Sequence, residues 1–285
     1  MFLFLSHQKP LKETVYFSAR KKCEDCLNII SFNCSAFNKF KNDTLSNQLD
    51  KKFLNHIKSQ DIDFMFLQEF HHDDMAQFRV LDSIVNKTTL DYYFISPNKI
   101  NNQSGFFGMI IFSKYPIVNR STFTFDSLNF FNKFMYVDVK LNNDTVRLLN
   151  LHFQSLNYRW NKKLTFKNNL LVGIRKMKSG IDANRIQSKK VLDFIDQSPY
   201  PIIVAGDFNS FPYGRTYQQF KKTSLENSFE KAGNGFGYSL NIFPYWVRLD
   251  HVFFDKNHFN AQTHKVLRGI DNSDHLPIWV QLKKK

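Results

Sequence analysis

The chain has 285 residues, with 39 Lys and Arg against 25 Asp and Glu, for a formal charge of +14. Hydrophobic residues make up 42%, enough for a packed core, which excludes a disordered or low-complexity chain. A positive surplus of this size points to a polyanionic partner: nucleic acid, an anionic membrane surface or a phosphorylated substrate.

Residues 1–27 read as a polar, basic lead-in. Met1–Leu5 (MFLFL) is too short for a signal-peptide core. It is read either as a plain start or as the remnant of a longer membrane or export region. Cys23 and Cys26 lack the second ligand pair of a zinc site, and they precede the first strand, whereas a redox motif would follow one. They are expected to be reduced and incidental, or joined in one local disulfide in an exported chain. Asn28–Asn33 (NIISFN) predicts a short buried strand. Leu45, Leu49, Phe53 and Ile57 lie four apart and predict a helix over 43–60, capped by Asn42 or Asp43. Ile62–Leu67 is an apolar strand ending at Gln68-Glu69, and Met75, Phe78, Leu81 and Val85 predict a helix over 74–86. Strands are expected over 107–112, 134–141 and 146–152. A basic, partly helical stretch follows and ends in a helix over 182–196. Pro201–Ala205 is a short strand running into Gly206-Asp207-Phe208-Asn209, and later strands span 247–254 and 276–282. With no internal repeat and no Pro, Gly or Ser linker, 28–285 reads as a single domain. Short strands with interspersed helices suggest two packed sheets with helices outside.

The polar residues fall at recurring places. Glu69 ends one apolar strand, Asn150 and His152 end another, and Asp207 and Asn209 end a third. Asp250 lies inside a fourth, and Asp274-His275 precede a fifth. Taken singly, each is an ordinary turn residue, a solvated acid or a hydrogen-bonded core histidine. Side by side, strands of this kind would bring these residues to one rim, where catalytic groups are commonly carried. Carboxylates, amides and imidazoles are the groups that phosphate and hard-metal chemistry needs.

The order of these motifs resembles the endonuclease/exonuclease/phosphatase (deoxyribonuclease I-like) superfamily, which includes pancreatic deoxyribonuclease, abasic-site endonucleases, sphingomyelinases and inositol-polyphosphate 5-phosphatases. The residues that carry it are Asn33 in SFN, Gln68-Glu69 in LQE, His152 in NLHFQS, Asp207 and Asn209 in GDFN, Asp250 in RLDH, and Asp274-His275 in SDHLP. The match covers roughly 28–282 and looks most like an uncharacterised bacterial branch, in which membrane segments often precede the domain. The resemblance implies an α/β (α+β) fold: a four-layer α/β/β/α sandwich of two mainly antiparallel sheets flanked by helices. It implies a metal-dependent phosphoric ester hydrolase. Glu69 would hold Mg²⁺, with Mn²⁺ as the other candidate, and Asn33 and Asp274 would lie nearby. Asp207 would orient or deprotonate the attacking water, and Asn209 would donate to a phosphate oxygen. His275 would contact the phosphate or move a proton, oriented by Asp250. His152 would be a second phosphate-facing imidazole, without an identified carboxylate partner. Either Asp207 or His275 can serve as the base. Ser155 and Ser273 are read as loop-shaping residues.

For the substrate, the guide is the segment Arg159–Lys190, with ten basic residues against the single acid Asp182. It starts seven residues after His152 and is expected beside the active rim. Such a surface tracks a nucleic-acid backbone without reading sequence, so a monomeric nuclease is the leading reading. A phospholipid or inositol-phosphate phosphoesterase at an anionic membrane surface is the alternative. A non-catalytic binding module that has kept the fold comes third.

Overall fold

The computed structural model describes residues 23, 25–38, 51–73, 80–101, 105–126, 131–155, 165–241, 247–270 and 272–285. The lead-in before residue 23, the helix cap at Asn42 or Asp43, residues 74–79 and the first part of the basic segment, including Arg159, Lys162 and Lys163, lie outside them.

Two six-stranded sheets form the centre. The first has the order β11 (Phe259–Val266), β12 (Ile278–Lys284), β1 (Cys26–Asn33), β2 (Phe64–Asp73), β4 (Gly105–Ser113), β3 (Tyr92–Asn101). The second runs β5 (Ile117–Thr124), β6 (Lys133–Leu141), β7 (Asp144–His152), β8 (Ile202–Asp207), β10 (Asp250–Asp255), β9 (Leu225–Asn227). The pairs β1–β2 and β7–β8 are parallel and the others antiparallel. The helices are α1 (Lys51–Ser59), α2 (Val80–Val85), α3 (Phe166–Asp196), α4 (Arg215–Lys221) and α5 (Ser228–Ala232).

The layering follows from side-chain alternation along the strands. Ile29, Phe64 and Phe66 face the second sheet and meet Val137, Leu148, Ile203 and Val252 in a core between the sheets. Their neighbours Ile30, Met65 and Leu67 point the other way, onto Phe53 and Ile57 of α1 and Ile84 of α2. On the second sheet, Leu149, Leu151 and Val204 turn outward to Val191 and Ile195 of α3 and Tyr217 and Phe220 of α4. Three apolar layers between four layers of structure give the α/β/β/α sandwich. Strands buried on both faces read as continuous apolar runs, which is why β1, β2, β4, β6, β7, β8, β10 and β12 are legible in the sequence.

Several elements differ from the sequence expectation. The helix over 43–60 is described only from Lys51 to Ser59, and that over 74–86 only from Val80 to Val85. From Phe166 on, the basic stretch is not partly helical but part of one helix of 31 residues, α3, started by the Thr165 side chain accepting from the Asn168 N–H. Glu69 does not end its strand. The strand runs on to Asp73, and Glu69 sits in a bulge where the register shifts between Leu67 and Phe70. Asp250 does not lie inside its strand but opens it. Cys23 and Cys26 form a disulfide, and Cys34 is free and buried.

Candidate active site

The topology explains why distant motifs meet. Asn33, Gln68, His152 and Asp207 all stand at or near the C-terminal ends of the parallel pairs, with Asn33 beside Gln68 and His152 beside Asp207 in register. β10 runs antiparallel to β8, so its first residue, Asp250, lies opposite Asp207. β12 runs antiparallel to β1, so Asp274 and His275, just before it, arrive at the same rim. The Ser273 hydroxyl fastens this arrival, donating to the Asn33 carbonyl at 2.8 Å and accepting from the His275 N–H at 3.0 Å.

Asp207 is the hub. Its Oδ1 accepts from the Asn209 backbone N–H at 2.8 Å, and its Oδ2 accepts from the side-chain amides of Asn33 and Asn209, each at 3.1 Å. Nε2 of His152 lies 3.7 Å from Oδ2 and Nε2 of His275 lies 3.8 Å from it. Nδ1 of His275 bonds Asp250 Oδ2 at 2.8 Å. With Nδ1–H given to Asp250, Nε2 is directed toward Asp207. The Asn33 amide also donates to Glu69 Oε1 at 3.2 Å, and that oxygen is 3.6 Å from His152 Nε2. Glu69 is therefore the carboxylate facing His152, which the sequence left without a partner. Glu69 and Asn209 both adopt left-handed backbone, φ 48° and 43°, a conformation that non-glycine residues hold only where the surroundings fix it. At Asn209 the fixing is visible: its amide donates to the Phe153 carbonyl, and its own carbonyl accepts from Asn184 of α3.

Burial and like charge set the electrostatics. Burial pushes the Asp207 carboxyl up, the charge of Asp250 pushes the same way, and His275 and His152 oppose both. Burial pulls the His275 imidazolium down, but the carboxylates of Asp250 and Asp207 outweigh it, with Asp274 adding to them, and the net shift is upward. Each group's charge favours the charged form of the other, and at Asp207 burial still wins, leaving its carboxyl raised to about 6.

The donor set fits a hard divalent cation. Glu69 and Asp207 turn oxygens toward one Asn33 amide, Asp250 Oδ1 has no hydrogen-bond partner among the described residues, and oxygen-rich sites of this kind suit Mg²⁺ or Mn²⁺. A second grouping, with atoms of Asp207, Asp250 and His275 within 4.8 Å of one another, overlaps the first through Asp207, and its Asp250 Oδ2 and His275 Nδ1 are already bonded to each other.

Three polar residues around this rim carry no role in the sequence reading. Asn150 donates to the carbonyls of Leu67 and Ile110 and accepts from Gln68, clipping the second sheet to the first inside the core. Lys133, beside His152 in register, is buried and donates to the carbonyls of Ser96 and Pro97. Ser239 accepts from the backbone N–H groups of Leu249 and Asp250. The signal for Lys133 is a lysine opening the apolar run KFMYV; a serine in a loop gives none.

A rim that pairs buried carboxylates with an oriented imidazole and a hard-cation donor set defines a phosphoric ester hydrolase. The chain belongs to the Endonuclease/Exonuclease/phosphatase family, which it matches over residues 30–275, a family of metal-dependent phosphoric ester hydrolases. No curated protein sequence matches it. Among solved structures it resembles an endonuclease/exonuclease/phosphatase from Beutenbergia cavernae, with TM-score 0.68 and 15% identity over 92% of this chain and 72% of that one. It also resembles the human Nocturnin catalytic domain with bound sulfate, with TM-score 0.63 and 15% identity over 94% and 97% of the two chains. D. rerio TDP2 complexed with single-strand DNA product gives TM-score 0.63 and 17% identity over 91% and 100%. At these identities the likeness is one of fold.

Proposed function

We propose that the protein is a Mg²⁺-dependent nuclease that hydrolyses phosphodiester bonds by in-line attack of an activated water. The observation that carries the chemistry is the buried line Asp250–His275–Asp207 meeting Asn33, Glu69 and His152 at one rim. Glu69, Asn33 and Asp274 are assigned to hold the metal, which when bound would offset charge on the phosphate and its leaving oxygen. Asp207, shielded from water and braced by two amides, positions and deprotonates the nucleophilic water. His275, kept protonated by Asp250 and Asp207, donates toward a phosphate oxygen, and His152 faces the same space. Asn209 braces the Asp207 carboxylate with its backbone N–H and its side-chain amide, and donating to the phosphate would require that amide to exchange one of its two bonds.

The nucleic-acid substrate is supported by α3. Its Asn184 donates to the Asn209 carbonyl and its Gln187 accepts from the Gln154 N–H, two residues after His152. The basic helix is thereby tied to the loops of the rim, with Arg175, Lys176, Lys178, Arg185, Lys189 and Lys190 exposed on it. A fold relative holding single-strand DNA is in keeping with that substrate. A second reading rests on the same helix: Ile174, Met177 and Ile181 are exposed at helical spacing among these cations, the pattern of a surface that settles on anionic lipid.

One panel assay decides between them: single-stranded and plasmid DNA, RNA, sphingomyelin, inositol phosphates and bis(4-nitrophenyl) phosphate, each with Mg²⁺ and with EDTA. Cleavage of a nucleic acid is expected, and neutralising Arg175, Lys176, Lys178 and Arg185 together should lower the salt slope for single strands by about 3, at ~0.7 per phosphate contact. Cleavage of lipid headgroups alone, with binding to anionic vesicles lost in the same variant, would replace the nuclease reading. Full activity after exhaustive chelation would overturn both.

A further inference from the structure

Glu69 stands on a bulge in the middle of a sheet, with left-handed backbone at φ 48°. Between the pairs Leu67–Ile110 and Phe70–Gly108, Gln68 and Glu69 face Met109 alone. A second bulge meets this one from the other side of β4. Pro97 pairs with Gly108 and Lys99 with Phe107, which leaves Asn98 as the extra residue of β3. Both register shifts therefore hinge on Gly108. The β3 backbone lies directly on that glycine: a Cβ there would be 2.3 Å from the Ser96 carbonyl oxygen and 2.8 Å from Pro97 Cα. Bulges take backbone groups out of the ladder, so their carbonyls need partners from elsewhere.

The second sheet supplies those partners at two successive positions of the β6–β7 pair, where Asn150 lies opposite Met135 and His152 opposite Lys133. Asn150 holds the near side of the bulge: it donates to the carbonyls of Leu67 and Ile110, the last pair before the register shifts, and accepts from Gln68 within the bulge. Lys133 holds the far side. It is buried, and its ammonium donates to the carbonyls of Ser96 and Pro97, each at 3.0 Å. Burial lowers the amine from 10.5 to about 8, so it is charged at neutral pH. A buried ammonium is costly, and an apolar side chain of the same length would fill the volume without that cost. What an apolar side chain could not do is grip two carbonyls of the opposite sheet. The same strand position carries His152, whose Nε2 lies 3.6 Å from Glu69 Oε1.

We propose that Lys133 is a positioning residue: by clamping the Ser96–Pro97 bulge onto Gly108 it fixes the Glu69 bulge, and with it the separation of Glu69 from His152 across the two sheets. The ammonium acts through backbone and packing, on the carboxylate of one sheet and the imidazole of the other. Glu69 is thereby held in place before any cation arrives, which is what a preorganised metal ligand requires. The effect on metal binding rests on the assignment of Glu69 to the metal; the effect on the placement of Glu69 and His152 does not.

The test compares the full-length wild type with Lys133→Met, first free of metal and then titrated with Mn²⁺. In the metal-free protein, the backbone ¹H–¹⁵N signals of Gln68, Glu69, Phe70 and Gly108 and the imidazole signals of His152 are expected to move, while those of Asp250 and His275 stay. By isothermal titration, the variant is expected to bind Mn²⁺ roughly 10- to 100-fold more weakly, the usual cost of losing a group that orients a metal ligand. Val191→Ala, a truncation in the core between α3 and the second sheet, is the control. It should lower the thermal midpoint and leave Mn²⁺ affinity unchanged; a control that loses as much affinity as Lys133→Met would show general loosening and overturn the proposal. Glu69 signals that stay in place, or equal Mn²⁺ affinity for wild type and Lys133→Met, would overturn it too. If the wild type itself binds no divalent cation, the metal assignment of Glu69 fails, and the Glu69 and His152 signals alone decide the positioning role. Should Lys133→Met fold poorly, Lys133→Gln, which keeps a neutral donor, takes the same measurements. The same signals should then move and Mn²⁺ affinity should fall less; unmoved signals or wild-type affinity would count against the proposal in the same way.

Discussion

Asp250→Asn is the sharpest perturbation of the rim, because it keeps the shape of the side chain and removes only its charge. Asp250 and His275 are 1% and 7% exposed and 2.8 Å apart. A buried hydrogen bond to a charged group is worth about 1.5–3 kcal/mol net. At ~1.4 kcal/mol per factor of ten, losing that much in the transition state slows turnover roughly 10- to 150-fold. The direction of the pH response follows from the same charges. Burial already pulls the imidazolium down, and Asp250 is the first of the charges that hold it up. The variant's His275 should therefore lose its proton at lower pH, moving the alkaline limb of the rate profile down. The assay is kcat on bis(4-nitrophenyl) phosphate at saturating Mg²⁺ across pH, alongside a thermal midpoint to show an intact fold. Asp250→Asn combined with His275→Ala should be no slower than His275→Ala alone, since residues acting as a unit are not additive. Losses that multiply, or an Asp250→Asn enzyme with more than half the wild-type turnover, would refute the pairing.

Lys133 supplies a stability test. Burial lowers its amine from 10.5 to about 8, so between those values the folded state binds fewer protons than the unfolded one and stability rises with pH. Relative to Lys133→Met, wild type should gain about 1–3 kcal/mol from pH 8 to 10.5 by urea denaturation; a flat difference would contradict the burial argument. Asn150→Ala strands two carbonyls and the Gln68 amide inside the core and should cost about 2–4 kcal/mol, read from the same transitions. Gly206→Ala has φ +146° against it and would drive a Cβ into the Leu151 carbonyl. It should fail to accumulate as soluble protein or unfold at least ~3 kcal/mol more easily; a wild-type midpoint would show that β7 and β8 can part there.

The sequence carries the centre of the molecule better than its margins. β1, β7 and β8 are buried on both sides, so their apolar runs announce them. β5 reads IVNRSTFT and is largely exposed; β3 and β11 are edge strands like it, β11 having no apolar stretch to mark it and β3 only the short run YYFI, half of it exposed, before Pro97. The first half of α3 escapes for a related reason: Ile174, Met177 and Ile181 face solvent, so hydrophobic spacing there does not mark a buried face. The motif residues were legible as a set, and the Asp250–His275 bond was expected. The Glu69 bulge was not, because a register shift depends on the partner strand and Gly108.

The rim is stitched across nearly the whole chain: Asn33 reaches Asp207, 174 residues on, and Ser273 bonds back to Asn33 across 240. β12, the final strand, lies between β1 and β11. During synthesis, then, the first two-thirds of the polypeptide can leave the ribosome before the residues of the rim are all present, since Asp207, Asp250, Asp274 and His275 come later. The rim is complete only with β12 paired to β1, because Asp274 and His275 lie just before that strand.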